Sequence, residues 1–302
     1  MTSNHLDQPA ALPSITEQQF SRFQKLIYSA AGIHLAPHKK ALLEARLSKH
    51  VRALGLDSFD AYYRHIVDTD RSDELVQLLD RVSTNETHFF REPRQFEFLE
   101  TRVFTQWRAM ADGAAKPRQI RLWSAGCSSG EEPYSIAMLL LDHFPPNSGW
   151  RLEILATDLS TRILERAQSA LWSVAKAREI PEKYLKAYML RGTGAQQGKM
   201  KAGAEIRSLI CFQRLNLNDE RYPTGARFDA IFCRNVLIYF DTNSRIRVID
   251  RLIDRLAPGG YLFVGHAESL TGITNRVRHV MPTVYRLNEN EMCVSSGAGA
   301  GL

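Results

Sequence analysis

Ser124-Ala-Gly-Cys-Ser-Ser-Gly-Glu-Glu-Pro-Tyr134 decides the fold of this chain. Immediately before it, Ile120-Arg-Leu-Trp-Ser-Ala125 is a short apolar run of strand type. From Glu131 to Leu141 the apolar residues continue at helical density, so a turn of small residues joins a strand to a helix. Gly126 and Gly130 let backbone approach a ligand closely, and the amino end of the helix offers free N–H groups and positive potential. A carboxylate or phosphate fits there. The next strand, Leu152-Glu-Ile-Leu-Ala-Thr-Asp158, ends on an acid that can accept hydrogen bonds from both hydroxyls of a ribose.

Working outward, Phe228–Asn235 and Gly260–His266 are further buried-strand runs, and helical stretches lie at Ser160–Leu171 and Thr242–Leu256. Alternation of this kind predicts an α/β fold with a mostly parallel sheet covered on both faces and a ligand at the carboxyl ends of the strands. Pro282–Leu287 is expected to return as an antiparallel edge strand. Between Tyr184 and Leu217 the alternation is interrupted by Arg191-Gly-Thr-Gly-Ala-Gln-Gln-Gly198 and a strand-like run from Ile206 to Leu215, which predicts a small inserted β unit at about 189–214. Upstream, Thr16 to Val82 carries apolar residues at helical spacing, with Gly32 and Gly55 as stops, and Pro93–Met110 is one more amphipathic helix. The expected organisation is a flexible tail (1–15), a helical domain (16–90), an α/β domain (91–288) and a second tail (289–302).

Composition narrows the function class. With 302 residues, 44% of them hydrophobic, the chain can bury more than one core. No signal sequence and no apolar run of roughly 18–20 residues is visible, so membrane insertion is not expected and the cytoplasm is. Cys127, Cys211, Cys233 and Cys293 form no C-x-x-C pair, so neither a zinc site nor a disulfide framework is expected. A net charge of +6 favours acidic partners without specifying nucleic acid. The loop departs from the dinucleotide pattern G-x-G-x-x-G. Glu131 and Glu132 suit a helix start, yet one of them could also hold a cofactor ammonium group, which S-adenosylmethionine has and NAD lacks. On α-helical spacing, Lys39, Arg46, Lys49 and Arg52 share one basic stripe, by default a solvated face.

Four stretches carry a family resemblance: Ser83-Thr-Asn-Glu-Thr-His-Phe-Phe-Arg91, Trp123–Ser135, Phe228-Asp-Ala-Ile-Phe-Cys-Arg-Asn-Val-Leu-Ile-Tyr-Phe240 and Gly265-His-Ala-Glu-Ser269. In this order they resemble the CheR family of chemotaxis receptor methyltransferases. The resemblance implies an all-α amino-terminal domain joined to a Rossmann-like class I methyltransferase domain with an inserted β-subdomain. It also implies S-adenosylmethionine-dependent methyl esterification of glutamates on chemoreceptor cytoplasmic helices, with S-adenosylhomocysteine as product and no metal. Carried over by position, it implies cofactor contacts at Asn85, Thr87, Arg91, Glu132, Asp158, Asn216, Leu217, Arg234 and Asn235, beside the Gly126 turn. Arg91 and Tyr239 are the catalytic candidates, as groups that orient the reactants. Substrate contacts are expected at Arg46, Lys49 and Arg52, which would steer a glutamate-rich helix. They are also expected at Gly192 and Gly194, where the β-subdomain loop resembles that of members docking a receptor carboxyl-terminal peptide by strand addition. The rivals are a nucleic-acid methyltransferase, for which neither the [D/N]-P-P-[Y/F] motif nor a Pro-Cys nucleophile is present, and a non-enzymatic cofactor-binding scaffold.

Overall fold

A computed structural model describes residues 12–68, 72–222, 225 and 227–288; most of the first expected tail, all of the second and Cys293 lie outside the described residues. The described residues divide into two compact units, one ending at Ser83 and one beginning at Thr84.

The first unit holds four helices, α1 (Glu17–Ala31), α2 (Lys40–Ala53), α3 (Phe59–Asp68) and α4 (Ser72–Val82). Thr16 opens α1 with a reciprocal capping box to Gln19, and Gly32 closes it at φ 69°, a left-handed conformation that costs glycine little. Phe20, Phe23, Ile27, Leu43, Leu47, Val51, Tyr62 and Leu78 fill the core. One buried acid ties three helices together: Glu74 accepts from the Tyr62 hydroxyl at 3.0 Å and pairs with His50 Nε2 at 2.6 Å. Burial, and then the Glu74 carboxylate, push the Tyr62 hydroxyl well up. The basic stripe of α2 is not uniform. Lys39, Lys49 and Arg52 are exposed, whereas Arg46 is half-buried and donates to the Val82 carbonyl, capping the carboxyl end of α4.

The second unit opens with α5 (Pro93–Phe98), which runs through a π-turn at Leu99–Val103 into α6 (Phe104–Asp112). Then come β1 (Gln119–Ala125), α7 (Glu131–His143), β2 (Arg151–Asp158), α8 (Thr161–Ser169), β3 (Leu171–Ser173), a 3-10 helix at Val174–Glu179 and α9 (Glu182–Tyr188). These are followed by β4 (Met189–Arg191), β5 (Lys199–Ala202), α10 (Ala204–Arg207), β6 (Ile210–Arg214), β7 (Phe228–Cys233), α11 (Thr242–Ile253), β8 (Leu256–Val264), β9 (Val277–Met281) and β10 (Val284–Leu287). The large sheet has the order β6-β2-β1-β7-β8-β10-β9, with β6 to β8 parallel and the last two strands antiparallel. Both faces are covered. Ile120, Leu122, Ala230 and Phe232 point to a core with α7 and the α5–α6 helix, and the alternate residues Trp123, Ala125, Ile231 and Cys233 to a second core with Val248, Ile249 and Leu252 of α11. Burial of both faces is why these strands read as unbroken apolar runs.

Two expectations change. Ile210–Arg214 pairs in parallel with β2 from Ile154↔Ile210 to Asp158↔Arg214, so it is the edge of the large sheet and not part of the inserted unit. The small sheet is instead β3-β5-β4, beginning at Leu171. Val284–Leu287 does return antiparallel, but β9 pairs outside it and takes the edge.

Candidate active site

Around β1 the chain winds first toward β2 and then toward β7, which makes the carboxyl end of β1 the switch point where open α/β sheets take their ligands. The loop Gly126–Gly130 lies there. Gly126 has φ 83°, and a Cβ on it would stand 2.4 Å from Val236 Cγ2, so the turn after β1 touches the turn after β7 as closely as glycine allows. Gly130, at φ 95°, starts α7 against Ala167, where a Cβ would sit 3.1 Å from the alanine methyl.

Asp158, at the end of β2, is buried, and its two carboxylate oxygens accept the backbone N–H groups of Ser128 at 2.9 Å and Ser160 at 3.0 Å. Those bonds fix its orientation at the carboxyl end of β2. Leu215 N–H donates to the Asp158 carbonyl at 3.0 Å, which brings Asn216 and Leu217 beside the acid. Glu132 is also buried: Oε1 accepts from Ser124 Oγ and Oε2 from Arg234 Nε, both at 2.6 Å. Arg234 reaches further, donating through Nη1 to the Arg91 carbonyl at 2.7 Å and to Gln95 Oε1 at 3.0 Å.

The segment Asn85–Arg91 has no regular structure, and its backbone is fastened at several points. Ser128 Oγ donates to the Asn85 carbonyl at 2.9 Å, Lys176 Nζ to the Thr87 carbonyl at 2.9 Å, and Phe89 N–H to Glu179 Oε2 at 3.0 Å. Lys176 also pairs at 2.6 Å with Glu131, which is 1% exposed. Phe89 packs edge-on against Trp172 and Phe90 stacks on Tyr184. The Arg91 side chain is half-exposed, and among the described residues it makes a 3.3 Å contact to the Glu86 carbonyl. Asn235 takes the left-handed conformation at φ 60°, its side-chain Oδ1 buried without a hydrogen-bond partner, and Tyr239 ends the 3-10 turn that follows.

The structure thus gathers Asn85, Thr87, Arg91, Gly126, Glu132, Asp158, Asn216, Leu217, Arg234, Asn235 and Tyr239 around one loop. Arg46, Lys49 and Arg52 belong to the other unit, and Gly192 and Gly194 to the β4–β5 connection. Gly192 is packed so tightly against the Gln196 carbonyl that a Cβ would lie 2.1 Å from that oxygen. Ser128 and Glu268, inside stretches the sequence singled out, and Gln95 and Lys176, outside them, also hold the site together, and none of the four was named as a site residue. Gln95 had a signal, an amide at an apolar position of an amphipathic helix. Of the other acids and histidines, Glu100, Asp142 and His143 come within 4.8 Å of one another. Lys183 Nζ is already 2.9 Å from Asp142, and His143 Nε2 2.9 Å from Glu100.

A glycine turn at the switch point, an anchored acid ending the second strand and a small sheet inserted before β6 define a Rossmann-like methyltransferase domain. Residues 85–286 match the family description "CheR methyltransferase, SAM binding domain" and residues 18–83 "CheR methyltransferase, all-alpha domain". The chain belongs to the CheR methyltransferase family. It is 36% identical over 276 residues to the chemotaxis protein methyltransferase of Borreliella burgdorferi, covering 91% of this chain and 96% of that one. To the chemotaxis protein methyltransferase of Escherichia coli it is 36% identical over 278 residues, covering 92% and 93%. Chemotaxis protein methyltransferase 2 of Pseudomonas aeruginosa shares 36% over 275 residues, covering 89% and 93%. Among the described residues no helix is long and apolar enough to cross a membrane.

Proposed function

We propose that this methyltransferase esterifies glutamate side chains on the cytoplasmic helices of bacterial chemoreceptors, for sensory adaptation in the cytoplasm. The observation that carries the reading is the pairing of an anchored Asp158 with a buried, unpartnered Asn235 Oδ1 on either side of the Gly126 turn. Both are acceptors, and an adenosine with its ribose hydroxyls and a methionyl ammonium brings donors. When bound, S-adenosylmethionine supplies an electrophilic methyl group on a sulfonium.

Asp158 accepts from the ribose, Asn216 and Leu217 meet the adenine edge and face, and Asn85, Thr87, Glu132, Arg234 and Asn235 hold the methionyl end. Glu132, held between Ser124 and Arg234, faces the ammonium with carboxylate oxygens that can each accept a second hydrogen bond. A substrate glutamate, with a reference pKa of about 4.3, is already a carboxylate near neutral pH and needs no general base. With S-adenosylmethionine bound, a carboxylate oxygen would take the methyl carbon while the carbon–sulfur electron pair would stay on sulfur, as the thioether of S-adenosylhomocysteine. The opposite charges cancel along the path, so orientation and exclusion of water supply the acceleration. Arg91, with its loosely held guanidinium, orients the substrate carboxylate, and Tyr239 lines the approach.

Lys49 and Arg52 on α2 steer the acidic receptor helix while Arg46 secures the helix that carries them. In the small sheet β4 is an edge strand and Leu190 is 59% exposed, which suits addition of a receptor carboxyl-terminal peptide as a further strand beside the Gly192–Gly194 connection. The test is transfer of labelled methyl to receptor proteins. Label released as methanol in mild base marks an ester; base-stable label, or label appearing on nucleic acid, would replace this reading with another methyltransferase activity.

A further inference from the structure

The turn that carries Arg234, Asn235 and Tyr239 is anchored in the core by Leu237, while its polar backbone groups need a partner of their own. Asn235 sits at positive φ, and Ile238 is 45% exposed. One carboxylate holds it. Glu268, from the turn after β8, is 3% exposed; its Oε2 accepts the N–H groups of Asn235 at 2.8 Å and Gly265 at 2.6 Å, and its Oε1 that of Ile238 at 3.1 Å. Among the described residues no Lys, Arg or His forms an ion pair with it, so backbone dipoles alone balance its charge. The fit leaves no slack: a Cβ on Gly265 would lie 2.6 Å from Asn235 Nδ2 and 2.8 Å from Glu268 Oε2. Burial pushes the Glu268 carboxyl up while the N–H bonds pull the other way, so placing its charge here costs the fold. A group retained against its own stability interest points to work done for the site.

We propose that Glu268 is a positioning residue of the cofactor site, fixing the Arg234–Tyr239 turn in its ligand-ready form by accepting backbone N–H groups from Asn235 and Ile238 while tying that turn to Gly265. The proposal rests on S-adenosylmethionine occupying the Gly126 loop, as proposed above. The side chain touches no reacting atom; it acts through Asn235, whose buried Oδ1 faces a fixed direction only while the turn is held.

The test is Glu268→Gln in the full chain. Glutamine offers one acceptor oxygen, so its NH2 must face either the Ile238 N–H or the Asn235 and Gly265 pair, donor against donor. The turn then spends most of its time displaced, and S-adenosylhomocysteine affinity by calorimetry falls about tenfold, the population lost from the competent state. With a methylatable receptor, KM for S-adenosylmethionine rises by a similar factor of about ten while kcat at saturation stays within about twofold, because bound cofactor restores the turn. Gly265→Ala, which pushes on the same turn from the other side, weakens binding as well, and the double variant loses less than the sum. Wild-type affinity in Glu268→Gln overturns the proposal, as does an additive double variant or a kcat loss with unchanged KM. Should the glutamine variant fail to fold, Gly265→Ala alone decides: unaltered S-adenosylhomocysteine binding overturns it. If the unsubstituted chain binds no S-adenosylhomocysteine, the cofactor assignment falls first and this one with it.

Discussion

Arg234 Nε stands 2.6 Å from Glu132 Oε2, with side chains 2% and 9% exposed, and this ion pair joins the end of β7 to the start of α7 across the cofactor loop. The guanidinium donates through Nε and Nη1 to Glu132, Gln95 and the Arg91 carbonyl, so it organises three segments at once. Removing one partner leaves the other buried and uncompensated. Glu132→Gln should lower the unfolding free energy in urea by about 3–5 kcal/mol, while Glu132→Gln with Arg234→Met recovers most of it. The loss should persist in 0.5 M salt, since a buried pair is poorly screened. A loss that vanishes with salt would mean the pair is solvent-accessible.

How much of this was visible beforehand follows from burial. β1, β2, β7 and β8 are covered on both faces or nearly so and announce themselves as apolar runs. The glycine turn and Asp158 are legible because turn chemistry is local. β6 was assigned to the inserted unit because it is a half-exposed edge strand, and a short exposed run carries no sign of which sheet it joins. Helical spacing placed Arg46 on the α2 stripe, but its partner is a carbonyl at Val82, and helix-end capping across 36 residues leaves no trace in periodicity. Glu268 lay inside the quoted Gly265–Ser269 stretch, but its role was not legible there, because its partners are backbone groups, which every sequence has.

Gly126 is required by two separate constraints, its φ of 83° and the 2.4 Å approach to Val236. Gly126→Ala should cost about 2–4 kcal/mol, from left-handed strain plus overpacking, and abolish measurable S-adenosylhomocysteine binding. Adding Val236→Ala removes the clash but not the backbone strain, so stability should return only in part. Full recovery in thermal melts would show that the positive φ costs nothing here.

Arg91 makes one long contact to the Glu86 carbonyl and is half-exposed, so its side chain adds little to the fold. Arg91→Ala should shift stability by no more than about 0.5 kcal/mol. Methyl transfer should nonetheless fall by about two orders of magnitude or more if the guanidinium orients the substrate carboxylate. Unchanged turnover removes Arg91 from the reaction.

Lys49 and Arg52 are exposed on α2, so reversing both to glutamate leaves the melting temperature where it is. Receptor methylation should slow about tenfold at low ionic strength, and its salt dependence should flatten, because the charges act on encounter. Identical salt curves for variant and wild type would assign this face to solvent.

Glu268 also gives a pH signature in which stability and affinity move in opposite directions. Its folded carboxyl titrates above the unfolded value of about 4.3, so its stabilising contribution is whole below that pH and is lost as pH rises through the folded value. Cofactor affinity runs the other way, because only the carboxylate accepts all three N–H groups. The titratable group packed near it is the buried Cys233 thiol, which burial, and then Glu268, push well up, so it stays protonated over the same range. Between pH 4.5 and 7, wild type should therefore lose unfolding free energy relative to Glu268→Gln while gaining S-adenosylhomocysteine affinity relative to it. Urea melts and calorimetry at matched pH measure both, and parallel pH curves for the two proteins would mean that the proton on Glu268 does not govern the turn.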